Sequence, residues 1–269
     1  MTAALTTIGT VVAPRARTLL VYLTVPALLV GAWVASSALF DVPATLAPPP
    51  SRVFRTAVDL LTTRELWRNV ASSMWKLTVG SVAGVFTGVV LGVAAGLNER
   101  VAAALRPLSS FFSGISGLIW IPLAFAWFGT GLAMSTFLIW NAVFFVVFFN
   151  VLQGVQQVPE LYSSAIYTLG GKRAHVIRGA VLPGAMPSMI TGVRVGMGFA
   201  WRALIAAEFL GSPIGLGHMI YTAAAFHRTD VVVFGALLIG TLGLMLDKFV
   251  FEAWERRTSL RWGTVETGR

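Results

Sequence analysis

Residues 77–97 read LTVGSVAGVFTGVVLGVAAGL, twenty-one consecutive positions without a charge. A bilayer core of about 30 Å is crossed by roughly 20 apolar residues in an α-helix, so this stretch has the length and composition of a membrane span. Within it glycine returns at every fourth position, as Gly80, Gly84, Gly88, Gly92 and Gly96. Positions four apart share one helical face. The face is therefore a smooth groove along which a second backbone can approach closely, the packing device that serves in lipid, where apolar burial between helices gains little. The partner helix can belong to the same subunit or to a second copy of the chain.

Working outward, five further apolar runs come close to this length: about 18–40, 107–128, 133–152, 188–210 and 231–251. None shows the strict alternation over about 10 residues that marks a transmembrane β-strand. The expected fold class is thus all-α, a polytopic membrane protein with about six transmembrane helices in a single domain over residues 1–269. Composition agrees. Of the 269 residues 56% are hydrophobic and 12% charged, with 9 Trp and 18 Phe. Soluble domains carry about 25% charged residues. The absence of cysteine excludes disulfide scaffolds and thiolate metal sites. The net charge of +9 sits between apolar runs, which points to a lipid bilayer and to no nucleic acid.

The first run competes with a cleaved signal peptide, since Arg15 and Arg17 precede it and Ala35-Ser36-Ser37-Ala38 follow. Its apolar stretch exceeds the roughly 7–15 residues of a signal core, and we read it as a retained helix. With the N-terminus in the cytoplasm, thirteen of the twenty Lys and Arg residues fall on the inner side and six on the outer, with Arg202 inside a span. Both termini are therefore expected in the cytoplasm. Segment 41–76 is then external. It opens on Pro48-Pro49-Pro50 with Ser51 as a candidate N-cap. Its apolar residues recur mostly at helical spacing, as in an amphipathic helix on the membrane surface; a solvated loop fits the same pattern.

Little in the chain suggests catalysis. There is no G-x-x-x-x-G-K-[ST] phosphate cradle, so ATP is not hydrolysed here by that route. His175, His218 and His227 are scattered without carboxylates at metal-ligand spacing. No catalytic residue and no metal site is expected, and the chain reads as no enzyme. Ionisable groups inside a span are costly and functional by default. Arg202 and Glu208 are the two that stand out, six residues apart in the fifth run. At 100° per residue they lie about 240° apart and cannot pair with each other on one helix. A partner from another helix or a second subunit, or for Glu208 water at the outer end, remains open. Asn141 and Asn150 in the fourth run are candidates for hydrogen bonds between helices, and Asn141 is also a candidate pathway group. Pro26 and Pro122 are expected to kink the first and third spans.

The one long inner loop, 153–187, reads QGVQQVPELYSSAIYTLGGKRAHVIRGAVLPGAMP. Pro159 opens a helical stretch, Gly170-Gly171 breaks it, and residues 172–181 resume it before Pro183 and Pro187, giving a helical elbow. This loop resembles the signature of bacterial ABC importer permeases: Glu-Ala-Ala, three residues, Gly, nine residues, an Ile-type residue, one residue, Leu-Pro. Aligned on Gly170, Ala180 takes the Ile place and Leu182-Pro183 closes the motif. The triplet falls on Ser164-Ala165-Ile166, so the middle Ala is kept and the Glu is not, and a salt bridge from that position does not carry over. The stretches TLAPPPSRVF (45–54), ELWRNVASSMWK (65–76), IWIPLAFAWFGTG (119–131), LPGAMPSMITGVRVGMGFAW (182–201) and AAEFLG (206–211) with GLGHMI (215–220) are similar to the nitrate/sulfonate/taurine-type branch of that family.

The resemblance implies a type I ABC importer permease in the bacterial plasma (inner) membrane. It implies two copies of an ABC ATPase subunit holding the ATP and Mg, with no cofactor bound by this chain. An external substrate-binding protein and a second copy of this chain are implied as further partners. The elbow would be the coupling helix, with Ser164, Ala165, Gly170, Gly171, Lys172 and Arg173 as ATPase-coupling positions. Bulk at Ala165 would hinder seating, and a side chain at Gly170 would penalise a turn needing positive φ. Substrates of the branch are small anions or polar organics, and Arg202, Glu208 and Asn141 are the candidate pathway residues. An ion-gradient-driven transporter or channel without an ATPase partner is the alternative that the residues alone leave open.

Overall fold

The computed structural model describes residues 47–248 together with Thr24, Leu28 and residues 30–35. Most of the expected first span, including Pro26, lies outside the described residues. Among the described residues every regular element is helical. In chain order from Pro50 they are α1 (Pro50–Leu61), α2 (Arg64–Leu97), α3 (Glu99–Gly114), α4 (Trp120–Phe128), α5 (Leu132–Gln156), α6 (Glu160–Thr168) and α7 (Arg173–Val176). A π-helical turn at Ile177–Val181 leads into α8 (Leu182–Gly211), followed by α9 (Leu216–Ala225) and α10 (Thr229–Met245).

Four helical stretches among the described residues are long and apolar enough to cross a bilayer: Arg64–Leu97, Leu132–Gln156, Arg173–Gly211 and Thr229–Lys248. The second span starts well before Leu77. Thr63 caps it through its side chain, accepting from the Leu66 N–H, and its 34 residues extend about 51 Å. The length beyond a bilayer core carries Arg64 to Lys76, charged positions that an apolar window leaves out.

The segment before it contains a helix, α1, but one without the expected Ser51 cap. Pro49 is the N-cap residue and Pro50 begins the helix, where a missing N–H costs nothing. α1 buries Val53 and Thr56 and exposes Phe54, Val58 and Leu61.

The third run is two helices rather than one kinked helix. α3 ends at Gly114 and α4 starts at Trp120. Pro122 is the third residue of α4, within the first turn, whose N–H groups have no intrahelical partner. It therefore starts a helix rather than bending one. Pro183 and Pro187, by contrast, do not end the elbow, and the helix runs through them to Gly211. The wider π turn immediately before provides room for the proline ring that a regular i→i−4 ladder lacks.

By packing, the described residues divide into two compact units. One comprises those up to Thr62 with Ala223–Phe234, and the other Thr63–Thr222 with those from Gly235 onward. In the first, Thr56 Oγ1 donates to Asp230 Oδ2 at 2.7 Å, and Arg52 Nε stands 4.0 Å from the same oxygen.

The second unit is built around α5, which lies between α2 and α8. On the α2 side a Cβ added at Gly80, Gly84, Gly88, Gly92 or Gly96 would stand 2.5–2.9 Å from the Cβ of Ile139, Val143, Val147, Val151 and Val155 respectively. Both series advance by four residues together, so α2 and α5 run parallel with their backbones in close approach from Gly80 to Gly96, a little over four turns. The glycine groove is therefore filled from within the subunit. On the α8 side, Gly154 meets Ser188, Gly192 meets Asn150 and Gly196 meets Val147, a descending register that makes α8 antiparallel to α5. The same Val143, Val147 and Val151 form the centre of the main core with Leu204, Ala185 and Val181. Because α2 and α5 are parallel, the chain must return between Leu97 and Leu132, and α3 with α4 supply that return.

Candidate functional site

Three features of the second unit carry polar chemistry or an exposed elbow. The first surrounds Glu208. It lies in the last turn of α8 and is fully buried. Its carboxylate accepts from Lys76 Nζ at 2.9 Å, from Ser73 Oγ at 2.8 Å and from the Gly217 N–H at 3.0 Å. Lys76, on α2 and 5% exposed, also donates to Ser212 Oγ at 2.7 Å and to the Ile214 carbonyl. Asn69 Oδ1 accepts from the Gly215 N–H, and Ser73 Oγ from the Leu216 N–H.

The physical logic is a carboxylate at a helix start. Leu216 and Gly217 open α9, and their N–H groups are among the orphan donors that favour negative charge. Lys76 neutralises the carboxylate, so the buried charges are paired and hydrogen-bonded as low-dielectric burial requires. Gly215 has φ +144°, and a Cβ there would collide with the Glu208 carboxylate. Only glycine allows the chain to wrap this group. Glu208 thus does not reach toward water, and its partner comes from another helix of the same chain. Lys76, Ser73 and Asn69 were not singled out by the sequence reading. Their spacing, 69, 73 and 76, places all three on one helical face, which is the signal that could have found them.

The second feature is a cavity of about 450 Å³ bounded by α3, α4, α5 and α8. Asn141 and Arg202 both line it, with Phe112, Ser116, Phe145 and Phe199 among the other walls. Glu208 is not among its lining residues. Arg202 is exposed, and its guanidinium carbon lies 5.6 Å from the centroid of the Phe199 ring. Among the described residues no carboxylate stands within ion-pair distance of it. The structure therefore brings two of the three candidate pathway residues together and separates the third. Asn150 faces Gly192 of α8 and donates to the Val146 carbonyl, which makes it a packing residue.

The third feature is the elbow. α6 buries none of its residues, and Leu161, Tyr162 and Tyr167 are exposed along it, as is Leu169 just beyond. Its end is a Schellman motif, with the Gly171 N–H donating to the Ile166 carbonyl at 2.8 Å and the Gly170 N–H to the Tyr167 carbonyl at 2.9 Å. Gly170 takes φ +80° to close it. A Cβ at Gly171 would stand 2.5 Å from Ile166 Cγ2. Of the Ser164-Ala165-Ile166 triplet, Ile166 turns inward against the core that includes Val176 and Val181, while Ser164 and Ala165 are exposed. Lys172 and Arg173 are exposed at the start of α7, and the Lys172 N–H donates to His175 Nδ1 at 3.0 Å. Among the described residues no group of His, Asp and Glu is arranged to hold a metal ion.

An all-helical bundle with a close-packed centre, a cavity between its helices and a short exposed helix between two candidate spans has the architecture of a multi-pass membrane protein. Residues 84–259 match the family described as binding-protein-dependent transport system inner membrane component, and the chain belongs to that family, the permease components of ABC transporters. It is 31% identical over 245 residues to the taurine transport system permease protein of Escherichia coli, covering 89% of each chain. With the putative aliphatic sulfonates transport permease protein of Bacillus subtilis the identity is 30%, over 89% of this chain and 86% of that one. With the bicarbonate transport system permease protein of Synechococcus elongatus it is 33%, over 61% and 59%. The inward-facing MetNI methionine ABC transporter shares the fold at a TM-score of 0.54 and 18% identity, covering 72% of this chain and 97% of that one.

Proposed function

We propose that the chain is the membrane-spanning subunit of an ATP-driven importer for a small anionic solute. A separate ATPase, present in two copies with ATP and Mg, supplies the energy, and an external binding protein delivers the solute. Two copies of the chain enclose the pathway, and the elbow is cytoplasmic, with both termini on that side. The observation that carries this reading is the elbow itself. α6 is a helix with no buried residue that presents Leu161 and Tyr162 to its surroundings, beside exposed Leu169. An isolated helix of nine residues is too short to be stable in water by itself. It is held by Ile166 and by the Schellman turn, and its apolar outer side is left for a partner. The relatives are named for taurine, aliphatic sulfonates and bicarbonate, each of which bears a small anionic group. The exposed side of α1, with Phe54 and Val58, belongs to the outer face on which the binding protein docks.

The test is uptake into proteoliposomes containing the chain with its neighbouring ATPase and binding protein. ATP-dependent uptake is expected. Gly170→Glu, which places a charged side chain where φ is positive, is expected to leave the protein in the membrane while reducing ATP-driven uptake at least tenfold. Uptake that persists without ATP and collapses with the ion gradient would overturn the proposal.

A further inference from the structure

The structure fixes the heights of Arg202 and Asn141 along the bundle. The Gly131 N–H donates to the Gly211 carbonyl at 2.9 Å, which ties the start of α5 to the end of α8 at one level. Asn141 is ten residues along the chain from Gly131, and Arg202 nine residues back along α8 from Gly211. At 1.5 Å per residue they lie about 15 Å and about 14 Å from the tie. With the tie at the edge of a bilayer core of about 30 Å, both groups fall near the midplane. A guanidinium at that depth is costly unless something compensates it, and such groups mark ligand paths. Glu208, three residues from the end of α8, is already committed to Lys76. The Phe199 ring holds the guanidinium at its face without neutralising it.

The remaining walls are mainly aromatic and aliphatic. Phe112, Phe145 and Phe199 face the same space, with Ser116 as a further hydroxyl. Ligand sites combine such apolar walls with a few convergent polar groups that fix orientation. A fully hydrated inorganic ion gains nothing from phenyl walls, whereas an anion with an apolar tail gains at both ends.

Resting on the importer reading above, we propose that this cavity is a transient subsite for an organic monoanion, a sulfonate or carboxylate with a short apolar tail. The charged head binds Arg202 and the Asn141 amide, and the tail lies against Phe112, Phe145 and Phe199. The permease itself thereby selects organic over inorganic anions, in addition to any choice made by a binding protein.

The probe is 1-butanesulfonate, added to the purified full chain in detergent and read by saturation transfer from protein to the butyl protons. Transfer is expected in the wild type, reduced at least fivefold in Arg202→Gln and partly kept in Arg202→Lys. Asn141→Leu is an independent variant that leaves the charge in place, and it is expected to weaken the signal about threefold. Sodium nitrate is expected to compete at least ten times less well than 1-pentanesulfonate at equal concentration. No transfer in the wild type, or undiminished transfer in an equally monodisperse Arg202→Gln protein, overturns the subsite. Equal competition by nitrate overturns the preference for a tail. ATP-dependent uptake in the reconstituted assembly separates the two layers. Its absence in the wild type defeats the importer reading, whereas normal organic-anion uptake by Arg202→Gln defeats the subsite alone.

Discussion

Glu208 and Arg202 lie on one helix less than two turns apart, yet the structure treats them oppositely. Around Glu208 the polar groups are matched: three donors for the carboxylate, three acceptors for the Lys76 ammonium. Around Arg202 there is a cavity, a phenyl ring and an amide on the facing helix. A charge saturated by its own chain does structural work, because any competing ligand must first break those bonds. A charge left facing a cavity is available to a solute. The rule that intramembrane charges are functional applies to both residues, and only the partners distinguish their roles.

The largest expected effect is on the saturated side. Glu208→Ala leaves the Lys76 ammonium buried without a counter-charge and should destabilise the chain by about 3–5 kcal/mol, read from detergent unfolding midpoints. Replacing both partners, Lys76→Met with Glu208→Leu, should cost less than the single change, since neither charge is then stranded. A double variant as unstable as Glu208→Ala would mean that the hydrogen bonds to α9, rather than the charge pairing, hold this end together.

Next in size is the glycine groove. Gly88→Val would press a side chain into Val147 and should cost about 1–3 kcal/mol by overpacking. Gly198, where an added Cβ would meet nothing within 4 Å among the described residues, is the internal control. There Gly198→Ala should be neutral or stabilising by up to about 1 kcal/mol, through helix propensity. Equal losses at both positions would contradict the close approach of α2 and α5.

The smallest stability effect belongs to the open side. Arg202→Gln removes no ion pair found among the described residues and should shift stability by no more than about 0.5 kcal/mol, while reducing transport of the anion. A loss as large as that of Glu208→Ala would place Arg202 in the framework after all.

Membrane insertion, helical class and the position of the elbow were legible in the sequence because each rests on local arithmetic. A charge-free run of 21 residues needs no tertiary information to be a span, and glycine at every fourth position must form one face. The elbow motif carried its own turn, since Gly170-Gly171 can close a Schellman motif with six residues of chain. The suspicion attached to Arg202 and Glu208 was local as well, a matter of charge against apolar neighbours.

The partners were not legible, because each depends on residues distant in the chain. Whether the glycine face meets this chain or another was settled by its constant register with α5, 59 residues on. Lys76 was hidden by treating the second span as beginning at the first uncharged residue, whereas Thr63 caps a helix that runs unbroken through the charged turns. Pro122 shows the same limit, since a proline inside an apolar run bends a helix or begins one according to whether the preceding residues pack as helix. The sequence by itself determined which segments are helical and which groups are costly to bury, because propensity and transfer energy belong to residues. Only the tertiary structure decided which costly groups were satisfied, because hydrogen bonds and ion pairs belong to neighbours.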